Sequence, residues 1–282
     1  NYISAGKDIN ISVDNGNILN YGVEKTLLAA DGNLNMNVTN GTIGSSVQQT
    51  GASKNSTGIG PKSQGTRDFT KSINGNIKGK VNASTTDKAN TGNDLVINYA
   101  AIDSDMNIDT IKADGRVILT VYDSSHAKGG EATGVQYNMV NASTDSSKTN
   151  VIGKGISLIS NGSIGTKENK VTFIQTDANN YKMDALANNN IYLKENSFND
   201  ANYGRDKEVT TNTVSTMIAR KGDLDVEFAG NTEIENITAE GDLKVITRGK
   251  NLHIKNLGHI EDAAVIPQDY FGPRDYGTQD GG

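Results

Sequence analysis

The chain has 282 residues, with 31 Gly, 3 Pro, no Cys and no Trp, and a net charge of −6. Without Cys it can hold no disulfide, no thiolate metal site and no Cys nucleophile, and 3 Pro exclude a collagen or a Pro-rich linker. Its cations are grouped no more closely than pairs such as Lys78 with Lys80 and Arg220 with Lys221, which argues against a nucleic-acid partner, and no apolar run is long enough to cross a membrane as a helix.

In chain order, the first pattern is Gly6-Lys-Asp-Ile9-Asn-Ile11-Ser-Val13. Alternation of this kind puts Ile9, Ile11 and Val13 on one face and Asn10 and Ser12 on the other, so it predicts a half-buried strand. Asn15-Gly16-Asn17-Ile18 follows, and because Asn and Gly tolerate positive φ, it predicts a tight corner. The pair recurs as Gly32 to Val38 and then Asn40-Gly41-Thr42-Ile43. Further strands are expected at Gly115 to Val121, Gly222 to Val226 and Gly241 to Val245, with another corner at Asn161-Gly162-Ser163-Ile164. Four polar stretches, near 45–91, 123–150, 166–185 and 196–214, interrupt the pattern and are expected either to leave the repeat or to pair as a small side sheet, since Thr133 to Met139 alternates. The repeats are assigned to 1–262. Residues 263–282, which contain Pro267 and Pro273, are expected to form a terminal tail or junction.

Spacing gives the architecture. Gly222 to Gly241 is 19 residues and Gly6 to Gly32 is 26, enough for two or three short strands before the pattern restarts. The expected fold is all-β, a right-handed parallel β-helix (β-solenoid) with polar loop or side-sheet insertions, forming a monomeric rod. An antiparallel sandwich competes, because Asn-Gly is also a hairpin signal. A helical fold does not fit the alternation or the abundance of Asn, Gly, Thr and Val.

Asn161-Gly-Ser-Ile164-Gly165-Thr, then Leu186-Ala-Asn-Asn-Asn190-Ile-Tyr-Leu193, then Ile218-Ala-Arg-Lys-Gly222-Asp-Leu-Asp-Val226 resemble the repeat grammar of filamentous-haemagglutinin-like exoproteins. These are large bacterial surface proteins of the two-partner secretion route. The resemblance covers most of the chain and concerns repeat style, with no catalytic signature. The family's Asn-Pro-Asn secretion motif does not occur, so the resemblance implies a shaft or passenger segment. It implies a secreted or cell-surface location associated with the bacterial outer membrane, an outer-membrane transporter as export partner, and adhesion to host or neighbouring cells through a surface protein or glycan. A segment of a leukotoxin-like cytotoxin is the alternative within the same architecture, and a polysaccharide-degrading β-helix enzyme is the alternative outside it.

The residues offer little chemistry for catalysis. His126, His253 and His259 are the only imidazoles and stand at no metal-binding spacing, with His253 expected to face outward from a strand. Gly75-Asn-Ile-Lys-Gly79-Lys80 falls short of a phosphate loop. Asp103, Asp105 and Asp109 could act as paired carboxylates on a sugar or hold calcium, or could simply form a solvated outer face, which is the preferred reading. Asn-x-Ser/Thr triplets at Asn10, Asn37, Asn82 and Asn161 are read as a consequence of Asn-rich strands. No catalytic, cofactor-binding or metal-binding residue is assigned, no cofactor is expected, and the chain is expected not to be an enzyme.

Overall fold

The computed structural model describes residues 2–19, 27–44, 47–48, 67–68, 73–86, 94–101, 103–123, 135–145, 147–178, 180–196, 211–249 and 251–258. Among them every regular element is a strand: β1 (Tyr2–Ala5), β2 (Ile9–Asp14), β3 (Leu27–Ala30), β4 (Leu34–Thr39), β5 (Val47–Gln48), β6 (Arg67–Asp68), β7 (Ile73–Ile77), β8 (Lys80–Thr86), β9 (Leu95–Ala101), β10 (Met106–Lys112) and β11 (Val117–Asp123). The second half holds β12 (Met139–Asn141), β13 (Val151–Gly153), β14 (Ile156–Ser160), β15 (Val171–Gln175), β16 (Met183–Ala187), β17 (Ile191–Glu195), β18 (Thr211–Ala219), β19 (Leu224–Phe228), β20 (Asn231–Ala239), β21 (Leu243–Thr247) and β22 (Leu252–Gly258).

Two ten-stranded parallel sheets account for all of these except β5 and β6, which form one short antiparallel pair. The first sheet runs β1-β3-β7-β9-β11-β14-β16-β18-β20-β22, and the second runs β2-β4-β8-β10-β13-β15-β17-β19-β21 with β12 also on β10. Apart from β12 and β13, which both lie on β10, the chain visits the two sheets in turn, and each visit adds one strand above the last. Nine steps of about 4.8 Å make the first sheet about 43 Å tall.

Stacking in register places like residues on like. Ile97, Leu119, Leu158, Ala185, Met217 and Ile237 are successive partners along the first sheet. Met106, Met139, Ile164, Ile191 and Leu224 do the same along the second. All of these side chains are buried in one continuous apolar core between the sheets. The column ends in the open: Leu257, the partner of Ile237, is 67% exposed. Dense burial of Ile, Leu, Val and Met removes apolar area from water, and this favours stacking of the short strands.

The expected strands at residues 9–13, 34–38, 117–121, 224–226 and 243–245 all form, and the antiparallel alternative is replaced by parallel pairing. The boundaries of the interruptions change. β7 and β8 fall within 45–91, β12 within 123–150, β15 and part of β16 within 166–185, and part of β18 within 196–214, each as a strand of the main sheets. Polar composition concealed them because β8, Lys-Val-Asn-Ala-Ser-Thr-Thr, needs only Val81, Ala83 and Thr85 inside. Met139 joins β10 in parallel and forms no side sheet. Residues 263–282 lie outside the described residues.

The strict alternation also fails in β14, β15 and β16, where all five positions are buried. Ile118, Ile159, Leu186 and Ile218 lie outside the main core cluster yet are buried. These strands are covered on both faces.

Candidate binding face

The corners fix how one strand sits on the next. Asn15 and Asn40 take positive φ, at 59° and 54°, and Asn40 Nδ2 donates to Asn15 Oδ1 at 2.7 Å. Gly41 owes its identity to contact with the layer below, since a Cβ there would lie 1.5 Å from Gly16 O. At the entry to the second sheet, a Cβ on Gly79 would lie 2.4 Å from Gly32 O, the atom to which Gly79 N donates at 2.9 Å.

One position before β2, β4, β10, β12, β17 and β19, and before Ile164, a polar side chain accepts a backbone N–H from the next layer. Asp8 Oδ1 accepts from Asn33 N at 2.6 Å, and Asn33 Oδ1 accepts from Lys80 N at 2.8 Å. The series resumes with Asp105 accepting from Asn138 N at 2.8 Å and Asn138 from Ser163 N at 2.7 Å. Ser163 Oγ accepts from Asn190 N at 3.3 Å, Asn190 from Asp223 N at 2.8 Å, and Asp223 from Asp242 N at 2.9 Å. This spine satisfies backbone donors that leave the sheet ladder at the turn. The sequence signal for it is a polar residue directly before an aliphatic one, as in Asp8-Ile9, Asn33-Leu34, Asn190-Ile191 and Asp223-Leu224.

The carboxylates singled out from sequence are drawn into such roles. Asp105 belongs to the spine. Asp103 accepts from Asn76 Nδ2 at 3.1 Å and lies 3.9 Å from Lys78 Nζ, which also pairs with Asp31 at 2.9 Å. Asp31 raises the pKa of Lys78, by hydrogen bond and then by charge, with Asp103 adding to it. Asp109 pairs with Lys148 at 2.8 Å and Lys80 at 3.7 Å. The three Asp residues thus have three separate partner sets. His253 is exposed on β22, while His126 and His259 lie outside the described residues. Among the described residues no group of three or more His, Asp or Glu could hold a metal ion.

Beside this cluster, Tyr99 is buried with its hydroxyl at a corner. It accepts from Ile77 N at 2.7 Å, donates to Ile77 O at 2.7 Å and meets Ser104 Oγ at 2.9 Å. Burial pushes its pKa up to about 12 against the lowering effect of these hydrogen bonds.

The most regular surface is the outer face of the second sheet across β2, β4 and β8. Register aligns Asn10 with Asn35 and Asn35 with Asn82, and in the next column Ser12 with Asn37 and Asn37 with Ser84. Asn35 Nδ2 donates to Asn10 Oδ1 at 2.9 Å, and Asn82 Nδ2 donates to Asn35 Oδ1 at 3.0 Å. Ser84 Oγ donates to Asn37 Oδ1 at 2.8 Å. Parallel, in-register strands favour such amide ladders because each layer repeats the geometry of the last. Between the columns runs a shallow groove of about 350 Å³ over the strand positions Ile11, Met36 and Ala83, whose side chains turn inward to the core, and it extends to Thr110, the partner of Asn82 on β10. No charged side chain lines it. Asn10, Asn37 and Asn82 stand out in the sequence as Asn-x-Ser/Thr triplets, but only the register brings them onto one face.

No protein-family model, curated protein or solved structure matches this chain.

Proposed function

We propose that this chain is a structural and binding segment of a large secreted bacterial surface exoprotein that mediates adhesion to host or neighbouring cells, and that its two sheets are faces of a right-handed parallel β-helix. The handedness follows from a general rule: crossovers between parallel strands are right-handed in about 98% of cases. One observation carries the functional reading, namely ten parallel strands stacked in register into a tall, uniform sheet, a form that presents repeated side chains over a long surface. The filamentous-haemagglutinin-like repeat grammar supports the same reading and points to the cell surface, with an outer-membrane transporter as export partner.

The test is attachment. Labelled protein incubated with epithelial cells and with bacterial cells should bind saturably and be displaced by unlabelled protein. Absence of saturable binding to every cell type tried removes the adhesion reading. Loss of membrane integrity in leukocytes exposed to the same protein would replace it with the toxin reading.

A further inference from the structure

We propose that the groove between the Asn10–Asn35–Asn82 column and the Ser12–Asn37–Ser84 column is a binding site for a neutral, hydroxyl-rich oligosaccharide. The inference rests on the adhesion reading and gives it a site and a ligand class.

Hydrogen-bonding capacity makes the first argument. A side-chain amide has two N–H donors and a carbonyl oxygen with two lone pairs. Within the ladder Asn35 donates once, to Asn10, and accepts once, from Asn82. A second donor and a second lone pair remain on the exposed side of the same amide. Donors and acceptors alternating along a line are what sugar hydroxyls need, because each hydroxyl both donates and accepts. The columns repeat at the strand spacing of about 4.8 Å, close to the advance per ring of an extended pyranose chain.

Charge selects among sugars. The groove has no cation to pair with a sialic acid carboxylate or a sulfate, and the net charge of −6 opposes an acidic glycan. A peptide is disfavoured by topology. Peptides add to sheets at free edges, whereas β4, in the middle of this face, is paired on both sides by β2 and β8.

The test is an array of neutral, sialylated and sulfated oligosaccharides, followed by calorimetric titration of the strongest neutral binder. Ser12→Arg fills the groove from an exposed position outside the amide ladder, and should weaken that binder at least tenfold with an unchanged circular dichroism melt. Asn37→Asp introduces a charge while keeping the acceptor for Ser84, and should act in the same direction. It decides the matter if the arginine variant does not fold. Neutral-glycan binding that both variants leave intact overturns the site. Binding restricted to acidic glycans, or no glycan binding while cells are still bound, overturns the site and leaves adhesion standing. Neutral-glycan binding without cell attachment keeps the site and removes adhesion, and loss of both removes both.

Discussion

The outer face of the second sheet is built in two ways. Over β2, β4 and β8 it carries neutral amides and hydroxyls stacked on their own kind, with Asn10, Asn35 and Asn82 in one column. Over β17, β19 and β21 it carries charges, and the register alternates their sign: Lys194 opposes Glu227, and Asp225 opposes Lys244. Asp225 also pairs with Lys170 at 2.6 Å, and Arg248 with Glu227 at 3.6 Å. Like charges placed opposite one another destabilise a sheet, so a charged column must alternate, whereas an amide, being donor and acceptor at once, can repeat without limit. Beneath both regions the inward face is the same aliphatic stack. Core and surface therefore obey separate rules on alternate residues of one strand.

The largest effect should come from the part the two regions share. Leu34→Ala lies under the amide region and Leu224→Ala under the charged one, and both residues are buried. Each should cost about 2–5 kcal/mol, from lost transfer energy and the cavity left behind. Amide hydrogen exchange, which reads stability strand by strand, should show similar loss of protection around the two sites. A several-fold smaller loss at Leu34 would mean that the regions differ inside as well as outside.

Tyr99 lies at the corner shared by β7 and β9, where the amide face gives way to ion pairs. Tyr99→Phe leaves the buried Ile77 N–H without its partner and should cost about 1–3 kcal/mol. Its titration has a definite sign. The folded-state pKa, about 12, lies above the ordinary value of about 10, so the stabilisation is complete below pH 10 and is lost as pH rises from about 10 to 12. The phenylalanine variant should show a shallower alkaline loss in a chemical-denaturation series. Parallel curves for the two proteins would contradict the burial of the hydroxyl.

How much of this was readable from sequence depends on which neighbours matter. Ile9, Ile11 and Val13 declare their strand because alternation is a property of adjacent residues, and Asn15 and Asn40 declare their corners for the same reason. β8 stayed hidden because Ala83 and Thr85 are inward residues that do not look apolar enough. Its identity comes from β4 on one side and β10 on the other, whose register partners are 27 or more residues away along the chain. The groove was hidden more completely. Asn35 and Asn82 are 47 residues apart, and only their register makes them a surface. Asp105 stands out in the sequence as one of three closely spaced carboxylates, and the hydrogen bond it accepts from Asn138 N, 33 residues away, makes it a corner brace.

The charged region should respond to acid and salt. Burial would push Asp225 up, but the hydrogen bonds and charges of Lys170 and Lys244 outweigh it and hold the carboxyl below its ordinary range. A depressed carboxylate stabilises above its unfolded pKa, near 3.9, and that contribution disappears as pH falls through the folded value. Asp225→Asn should cost about 1–2 kcal/mol at neutral pH, discounted because Lys244 is largely exposed. It should also remove acid sensitivity of exchange in β19 and β21 below about pH 4. Unchanged acid sensitivity would assign it to another carboxylate.

Asn35→Ala gives the smallest effect and the most selective one. Two ladder bonds are lost, but the site is open to water, which can replace them, so the cost should be about 0.5–1 kcal/mol. Neither amide nor hydroxyl titrates, and neither is screened by salt, so that cost should be the same at pH 4 and pH 8 and at low and high ionic strength. The contrast with Asp225→Asn lies in this flatness. If the Asn35→Ala cost grew with falling pH, a titrating group would be coupled to the ladder, and the division into a neutral and a charged region would have to be redrawn.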